Sequence, residues 1–210
     1  MKKIAFSIIA LLAVVFSVSA AEISEKTKAV LTKIEKANES LTTISSPVTE
    51  TRTLPNGKAF VFNGTFSFSY PNLLAIRYTK PDGDYLVVTA TEIAQKKQHG
   101  KTFKVSLKKN ATMQELSNTL LWCISGKLIR LAESNNAAVT TSEANGMIKV
   151  VFTAEVKNGR DFKKIELNYD KATMRIKSMA LTDKGNVVTK YALDKPQYGV
   201  TIPASTFVIK

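Results

Sequence analysis

The chain is poor in the side chains on which metal centres, disulfides and nucleophilic enzymes depend. Its 210 residues include one Cys, one His and one Trp. A single Cys cannot form an internal disulfide, and one Cys with one His cannot build a zinc, iron–sulfur or multi-histidine site. The length suits one domain whose core is large enough to fold without such staples. We therefore expect neither a metal nor another cofactor.

Common enzyme motifs are missing as well, since G-x-G-x-x-G, G-x-x-x-x-G-K-[ST], G-x-S-x-G and H-E-x-x-H do not occur. His99 lies in a Lys-rich turn, where no partner is evident to orient a general base. Cys123 follows Trp122 in an apolar stretch, whereas a reactive thiolate needs a cationic, partly exposed setting. We expect no catalytic residue; an exported hydrolase that uses His99 or Cys123 is the less favoured alternative.

The first twenty residues have the pattern of a secretory signal peptide. Lys2 and Lys3 precede an apolar run from Ile4 to Phe16, and the small residues Val18-Ser19-Ala20 follow. The run is too short to span a membrane. We expect residues 1–20 to be cleaved and residues 21–210 to form one exported, periplasmic domain. The formal net charge of +13 includes the two leader lysines, so the mature chain carries +11.

Two stretches have helical periodicity. One face of the segment 22–40 is apolar at spacings of three and four, and Ser45-Ser46-Pro47 follows as a predicted break. In the segment 112–131, Thr112 and Glu115 fit a capping box, and Gly126 is expected to bend or end the helix. The apolar face of this second helix includes Leu116, Leu120, Ile124 and Leu128.

An aromatic strand is the clearest pattern in the chain. Five aromatic residues occupy even positions between small or polar residues: Phe60, Phe62, Phe66, Phe68 and Tyr70. Gly64 interrupts the row, as a bulge in a curved strand would. After Pro71-Asn72 the same alternation resumes at Leu74, Ile76 and Tyr78. We expect all eight side chains on one face of the sheet.

Further strands are predicted over the segments 85–91, 93–97, 103–108, 147–156, 162–169, 173–181, 187–193 and 206–210. A hairpin turn is predicted at Lys157-Asn158-Gly159. Short strands joined by tight turns indicate an α+β fold with an antiparallel meander. The aromatic face is then either a packed core or the wall of an apolar cavity that the two helices close and that holds lipid chains.

Six lysines and no acidic residue lie between Ile93 and Gln114, and they include Lys96, Lys97, Lys101 and Lys104. Such a patch attracts anionic headgroups or an acidic partner, although a simple solvated hairpin face is the preferred explanation. Nucleic acid is disfavoured, because exposed aromatics do not alternate with the basic residues.

The segment G-T-F-S-F-S-Y-P-N-L-L-A-I-R-Y-T-K-P-D, residues 64–82, resembles the LolA-type periplasmic carriers of outer-membrane lipoproteins. The apolar helix in mid-chain and the closing I-P-A-S-T-F fit the same layout. The resemblance implies a half-open antiparallel barrel of about ten to eleven strands, with helices as a lid over an apolar cavity. It implies acylated lipoproteins as cargo, received from an inner-membrane lipoprotein-releasing transporter and passed to an outer-membrane acceptor. The inward residues implied by the motif are Phe66, Phe68, Leu74, Ile76 and Tyr78.

Two departures from the family pattern leave alternatives open. The family's inward Arg before the Pro, a tie between lid and barrel, is Tyr70 here, and a phenol forms that tie without charge assistance. The residues after the P-D turn also differ. A carrier of another envelope lipid or glycolipid therefore remains an alternative, as does an envelope sensor that binds lipid or lipoprotein. We expect a monomer.

Overall fold

A computed structural model describes residues 23–97, 100–154 and 162–209. Within them the helices are α1 (Glu25–Asn38), α2 (Ala111–Ser125) and α3 (Leu128–Ser134). The strands are β1 (Thr43–Thr53), β2 (Ala59–Ser69), β3 (Leu73–Lys80), β4 (Asp82–Val88), β5 (Glu92–Lys96), β6 (Phe103–Ser106), β7 (Ala138–Ala144), β8 (Met147–Thr153), β9 (Phe162–Asp170), β10 (Ile176–Asp183), β11 (Val188–Leu193) and β12 (Gln197–Tyr198).

All strands belong to one antiparallel sheet in the order β6-β5-β4-β3-β2-β1-β11-β10-β9-β8-β7, and the short β12 also pairs with β1. Every neighbour on the path is a neighbour in sequence except β1 and β11. In the described part of the chain the edges β6 and β7 do not pair, so the sheet stays open. The predicted α+β fold with a half-open antiparallel barrel is confirmed.

The helices form near the predicted positions, but their ends differ. Ser24 caps α1 by accepting a hydrogen bond from the Thr27 amide at 3.3 Å. For α2 the predicted capping box is wrong, because Asn110 Oδ1 accepts from the Met113 amide and the helix begins at Ala111. The expectation that Gly126 bends or ends the second helix is confirmed. Gly126 ends α2 with a φ of 74°, and α3 starts as a separate helix.

Two strand predictions are wrong. Ser45-Ser46-Pro47 is not a break but lies inside β1, which the sequence analysis missed. The predicted strand over 206–210 does not form in its described part, because a 3-10 turn at Ala204–Phe207 is followed by irregular chain at residues 208–209. β7 was also not predicted. The hairpin turn expected at residues 157–159 and the signal peptide expected at residues 1–20 lie outside the described residues.

The sheet has a core on each face. The larger core lies between the sheet and the three helices, where Leu31, Ile34 and Leu131 pack against strand residues. The smaller core covers β3–β5 on the opposite face and includes Tyr85 and Phe207. The chain end is held there by Arg77, which donates to the carbonyls of Thr206 and Val208. The helices therefore cover only one face, and we call this the inner face.

Among the helices that the structure describes, none is both long and apolar enough to cross a membrane.

Candidate functional site

The aromatic strand β2 turns its even positions toward the inner face. Phe66 and Phe68 are buried in the larger core, and Phe62 packs against it. The predicted bulge at Gly64 does not form in β2, whose register with β1 is regular; the extra residue is Thr79 of β3, since Gly64 pairs with Tyr78 and Asn63 with Lys80. A Cβ at Gly64 would lie 2.3 Å from the Arg77 carbonyl oxygen, so only glycine allows β3 to approach this closely.

Tyr70 does not belong to this set. It follows the end of β2, and the residue is 52% exposed. Among the residues described, its hydroxyl makes no hydrogen bond to a helix. The structure therefore places Tyr70 outside the cavity and shows no lid tie at this position, because the strand ends one residue earlier and the chain turns at Pro71.

The β3 residues continue the inner face as predicted. Leu74, Ile76 and Tyr78 are all buried in the larger core, and Leu128 of α3 is fully buried in the same core. None of these four side chains lines the α2 cavity or the charged pocket described below. Leu74, Ile76 and Tyr78 belong to the part of the sheet that the helices cover.

An open space exists farther along the inner face, under α2. This α2 cavity has a volume of about 200 Å³. Of the predicted residues, Leu116 and Leu120 line it. The complete lining is Leu86, Ile93, Gln95, Phe103, Met113, Leu116, Leu120, Phe162, Leu181, Thr189 and Tyr191. Most of these side chains are apolar, so the α2 cavity suits a hydrocarbon chain better than a polar ligand.

The α2 cavity is small. Sites for drug-sized ligands have volumes of roughly 300–1,000 Å³, against about 200 Å³ here. A second apolar gap, lined by Phe66 and Ile124 among others, measures only about 10 Å³. The space described here is therefore too small for a long acyl chain, so binding such a chain requires α2 to move away from the sheet.

A buried polar pair lies beside this apolar region. The Tyr78 hydroxyl donates a hydrogen bond to Glu50 Oε2, and Glu50 is only 2% exposed. Burial raises the pKa of Tyr78, and the nearby Tyr191 and Glu50 raise it further, so the phenol stays protonated. The ring of Tyr78 also meets Phe62 edge-on, with the ring centroids 6.1 Å apart.

A further space of about 230 Å³ lies next to this pair, and we call it the charged pocket. The predicted residues Phe60 and Phe62 line it rather than the α2 cavity. The complete lining is Arg52, Leu54, Phe60, Phe62, Asp84 and Lys97. Phe60 is 37% exposed, as expected for a rim position.

The predicted lysine patch is divided between different environments. Lys96 pairs in register with Tyr85, whose side chain belongs to the smaller core on the face opposite the helices. Lys97 instead lines the charged pocket on the inner face. Lys101 is exposed. Lys104 forms an exposed ion pair with Glu92 at 3.1 Å. Because neighbouring strand residues point to opposite faces, the four lysines do not form one surface.

Cys123 has the properties of a structural thiol. It is fully buried in α2, and burial raises its pKa. Its carbonyl accepts a hydrogen bond from the Tyr169 hydroxyl at 2.9 Å, which fixes α2 to β9. His99 lies outside the described residues.

Glu50, Arg52 and Asp84 were not predicted as site residues. Asp84 stands two residues before Leu86 in β4, so alternation could have placed it on the inner face. Glu50 and Arg52 could not be assigned in this way, because β1 itself was not recognised.

A solved structure of low sequence identity shares this fold, and a second is a weaker match. An uncharacterised conserved protein from Thermus thermophilus matches with a TM-score of 0.51 at 12% identity, covering 89% of this chain and 95% of that one. A LolA-superfamily protein from Nitrosomonas europaea matches with a TM-score of 0.42 at 8% identity, covering 87% and 97%.

No curated protein sequence matches the chain. The family model described as "Outer membrane lipoprotein carrier protein LolA" matches residues 39–210, which span both the sheet and the cavity-lining helix α2. The chain therefore belongs to the LolA family.

Proposed function

We propose that the protein is a periplasmic carrier that holds the acyl chains of envelope lipoproteins in the α2 cavity. It takes them up from the inner membrane and delivers them to an acceptor at the outer membrane. The observation that carries the proposal is the apolar cavity between α2 and the inner face of the sheet. Family membership supports it, since LolA-family proteins are carriers rather than enzymes.

Burial of hydrocarbon supplies the binding free energy. Each methylene removed from water contributes roughly 0.8 kcal/mol, and release to a membrane returns the chain to an equally apolar environment. Since the cavity is too small for a long acyl chain, uptake requires α2 to separate from the sheet. The narrow state must then be only modestly favoured, because a strongly favoured one would reduce the affinity for cargo.

A cavity-filling variant tests the proposal. Leu116 is half-buried and lines the α2 cavity, whereas its neighbour Glu115 is exposed on the same helix. Leu116→Trp should weaken binding of a labelled diacylated lipopeptide about tenfold or more, because excluding two methylenes costs roughly 1.6 kcal/mol. Glu115→Trp is the matched control and should bind like wild type. Equal binding by both variants would contradict the assignment of the cavity.

A further inference from the structure

The charged pocket and the α2 cavity occupy consecutive positions on the same face. In β4, Leu86 lines the α2 cavity and Asp84, two residues earlier, lines the charged pocket. At the end of β5, Gln95 likewise lines the α2 cavity, and Lys97, two residues later, lines the charged pocket. Residues two apart in a strand point to one face, so the apolar lining changes into a charged lining along each strand.

The other side of the inner face repeats this arrangement. Thr189 of β11 lines the α2 cavity, and its register partner in β1 is Arg52, which lines the charged pocket. An amphiphile with its chain under α2 would therefore have its polar end beside Arg52 and Lys97.

The charged pocket is rich in donors. Two cations, Arg52 and Lys97, line it with one carboxylate, Asp84. In the part of the chain that the structure describes, the buried Nε of Arg52 has no hydrogen-bond partner. Lys97 is desolvated, and this burial lowers its pKa although Glu50 and Asp84 act in the opposite direction. Both cations would therefore gain from an anion that brings its own acceptor oxygens.

The pocket rim adds another cation. The ammonium group of Lys58 lies over the ring of Phe60, with Nζ 5.0 Å from the ring centroid. The second carboxylate in this region, Glu50, accepts the hydrogen bond of Tyr78. Among the charged side chains that line the space, the two cations Arg52 and Lys97 outnumber the one carboxylate, Asp84, which favours a negatively charged ligand.

We propose that the charged pocket binds the phosphate of a phospholipid headgroup through Arg52 and Lys97, while the acyl chain of that lipid occupies the α2 cavity. This inference rests on the proposed function in one respect, namely that the α2 cavity accepts an acyl chain. It adds a ligand class, because a lipoprotein's acyl anchor does not require a phosphate site.

Two lipids with the same chain isolate the headgroup. The probes are 1-palmitoyl-lysophosphatidylglycerol and monopalmitoylglycerol, titrated below their micelle concentrations at fixed salt by calorimetry. Wild-type protein should bind the phosphate lipid about tenfold more tightly or better, as charge-assisted hydrogen bonds to a buried cation predict. Arg52→Gln and Lys97→Gln should each remove most of this preference and leave the affinity for monopalmitoylglycerol unchanged.

Two further variants serve as controls. Lys101→Gln changes an exposed lysine outside the pocket lining and should keep the wild-type preference. Lys97→Arg retains a cation in the pocket and should preserve a large part of the preference. This rescue separates lost charge from lost folding.

The outcomes distinguish the two levels of the proposal. Equal binding of both lipids by wild type would overturn the phosphate site and leave the carrier function standing. Failure of both lipids to bind would overturn the carrier function together with the inference. If inorganic phosphate alone binds as tightly as the phosphate lipid, the pocket is a site for a free anion and the headgroup assignment is wrong.

Discussion

The buried contact between Tyr78 and Glu50 yields a quantitative prediction. Tyr78→Phe removes one hydroxyl and keeps the ring that meets Phe62 edge-on. Glu50, 2% exposed, would lose the hydrogen bond donated by Tyr78 while remaining buried. A buried acceptor left without its donor costs about 1–3 kcal/mol, with charged groups at the upper end. We expect the free energy of unfolding to fall by about 3 kcal/mol.

The assay is urea unfolding at pH 7, followed by circular dichroism. The double variant Tyr78→Phe/Glu50→Met removes both polar partners and should be more stable than Tyr78→Phe alone, because an apolar pair leaves no unsatisfied group. Tyr70→Phe is the matched control, since this tyrosine is exposed, and it should change stability by less than about 0.5 kcal/mol.

Two results would refute this reasoning. One is a loss below about 0.5 kcal/mol in Tyr78→Phe, the size of an ordinary surface substitution. The other is a double variant that is no more stable than the single one. Either result would mean that Glu50 does not depend on the Tyr78 hydroxyl.

Two other predictions concern stability. Gly64→Ala places a Cβ against the Arg77 carbonyl and should lower the free energy of unfolding by about 1–3 kcal/mol. Gly185→Ala is the control and should cost less, because its Cβ would have a nearest contact of 3.3 Å. Equal losses of the two variants in urea unfolding would argue against the close approach. Burial raises the pKa of Tyr169, so its stabilising protonated form is fully present below about pH 10, and above that pH its own contribution to stability should fall by about 1.4 kcal/mol per unit, beside similar contributions from Tyr78 and Tyr191. Tyr169→Phe should make this alkaline decline shallower and Tyr70→Phe should not; an unchanged slope in Tyr169→Phe would contradict the assignment.

The parts of the fold that could be predicted from the sequence are those in which the buried residues are apolar and the exposed ones polar. In β2 and β3 the apolar residues alternate with polar ones, and the structure buries Phe66, Phe68, Leu74 and Ile76 accordingly. The two main helical segments were found for the same reason, since their apolar faces pack on the larger core.

β1 escaped detection because it buries polar side chains whose partners are distant in sequence. Ser46 donates to the Asp194 carbonyl at 3.0 Å, and Glu50 accepts from Tyr78. Pro47 also suggested a break, yet it lies between the β1 residues that pair with β12 and those that pair with β11. On that side no ladder hydrogen bond requires the amide that proline lacks.

The cavity residues were predicted only in part for a related reason. Alternation identifies the face on which a side chain lies, but the packing of helices decides where a space remains along that face. The predicted lining residues are therefore distributed over the packed core, the α2 cavity and the charged pocket. Leu116 and Leu120 were found because they share a helix face, whereas Tyr191 and Thr189 reach the cavity through the pairing of β11 with β1.

The central claim is that acyl chains bind beneath α2 and displace it. Trp122 is the chain's one tryptophan and lies on α2, with the guanidinium of Arg130 5.0 Å from its ring. The most direct measurement is a titration of Trp122 emission with a diacylated lipopeptide and with the same peptide lacking its acyl chains. We predict saturable binding and a shift in Trp122 emission with the acylated peptide alone. Equal responses to both peptides, or no response to either, would contradict the account.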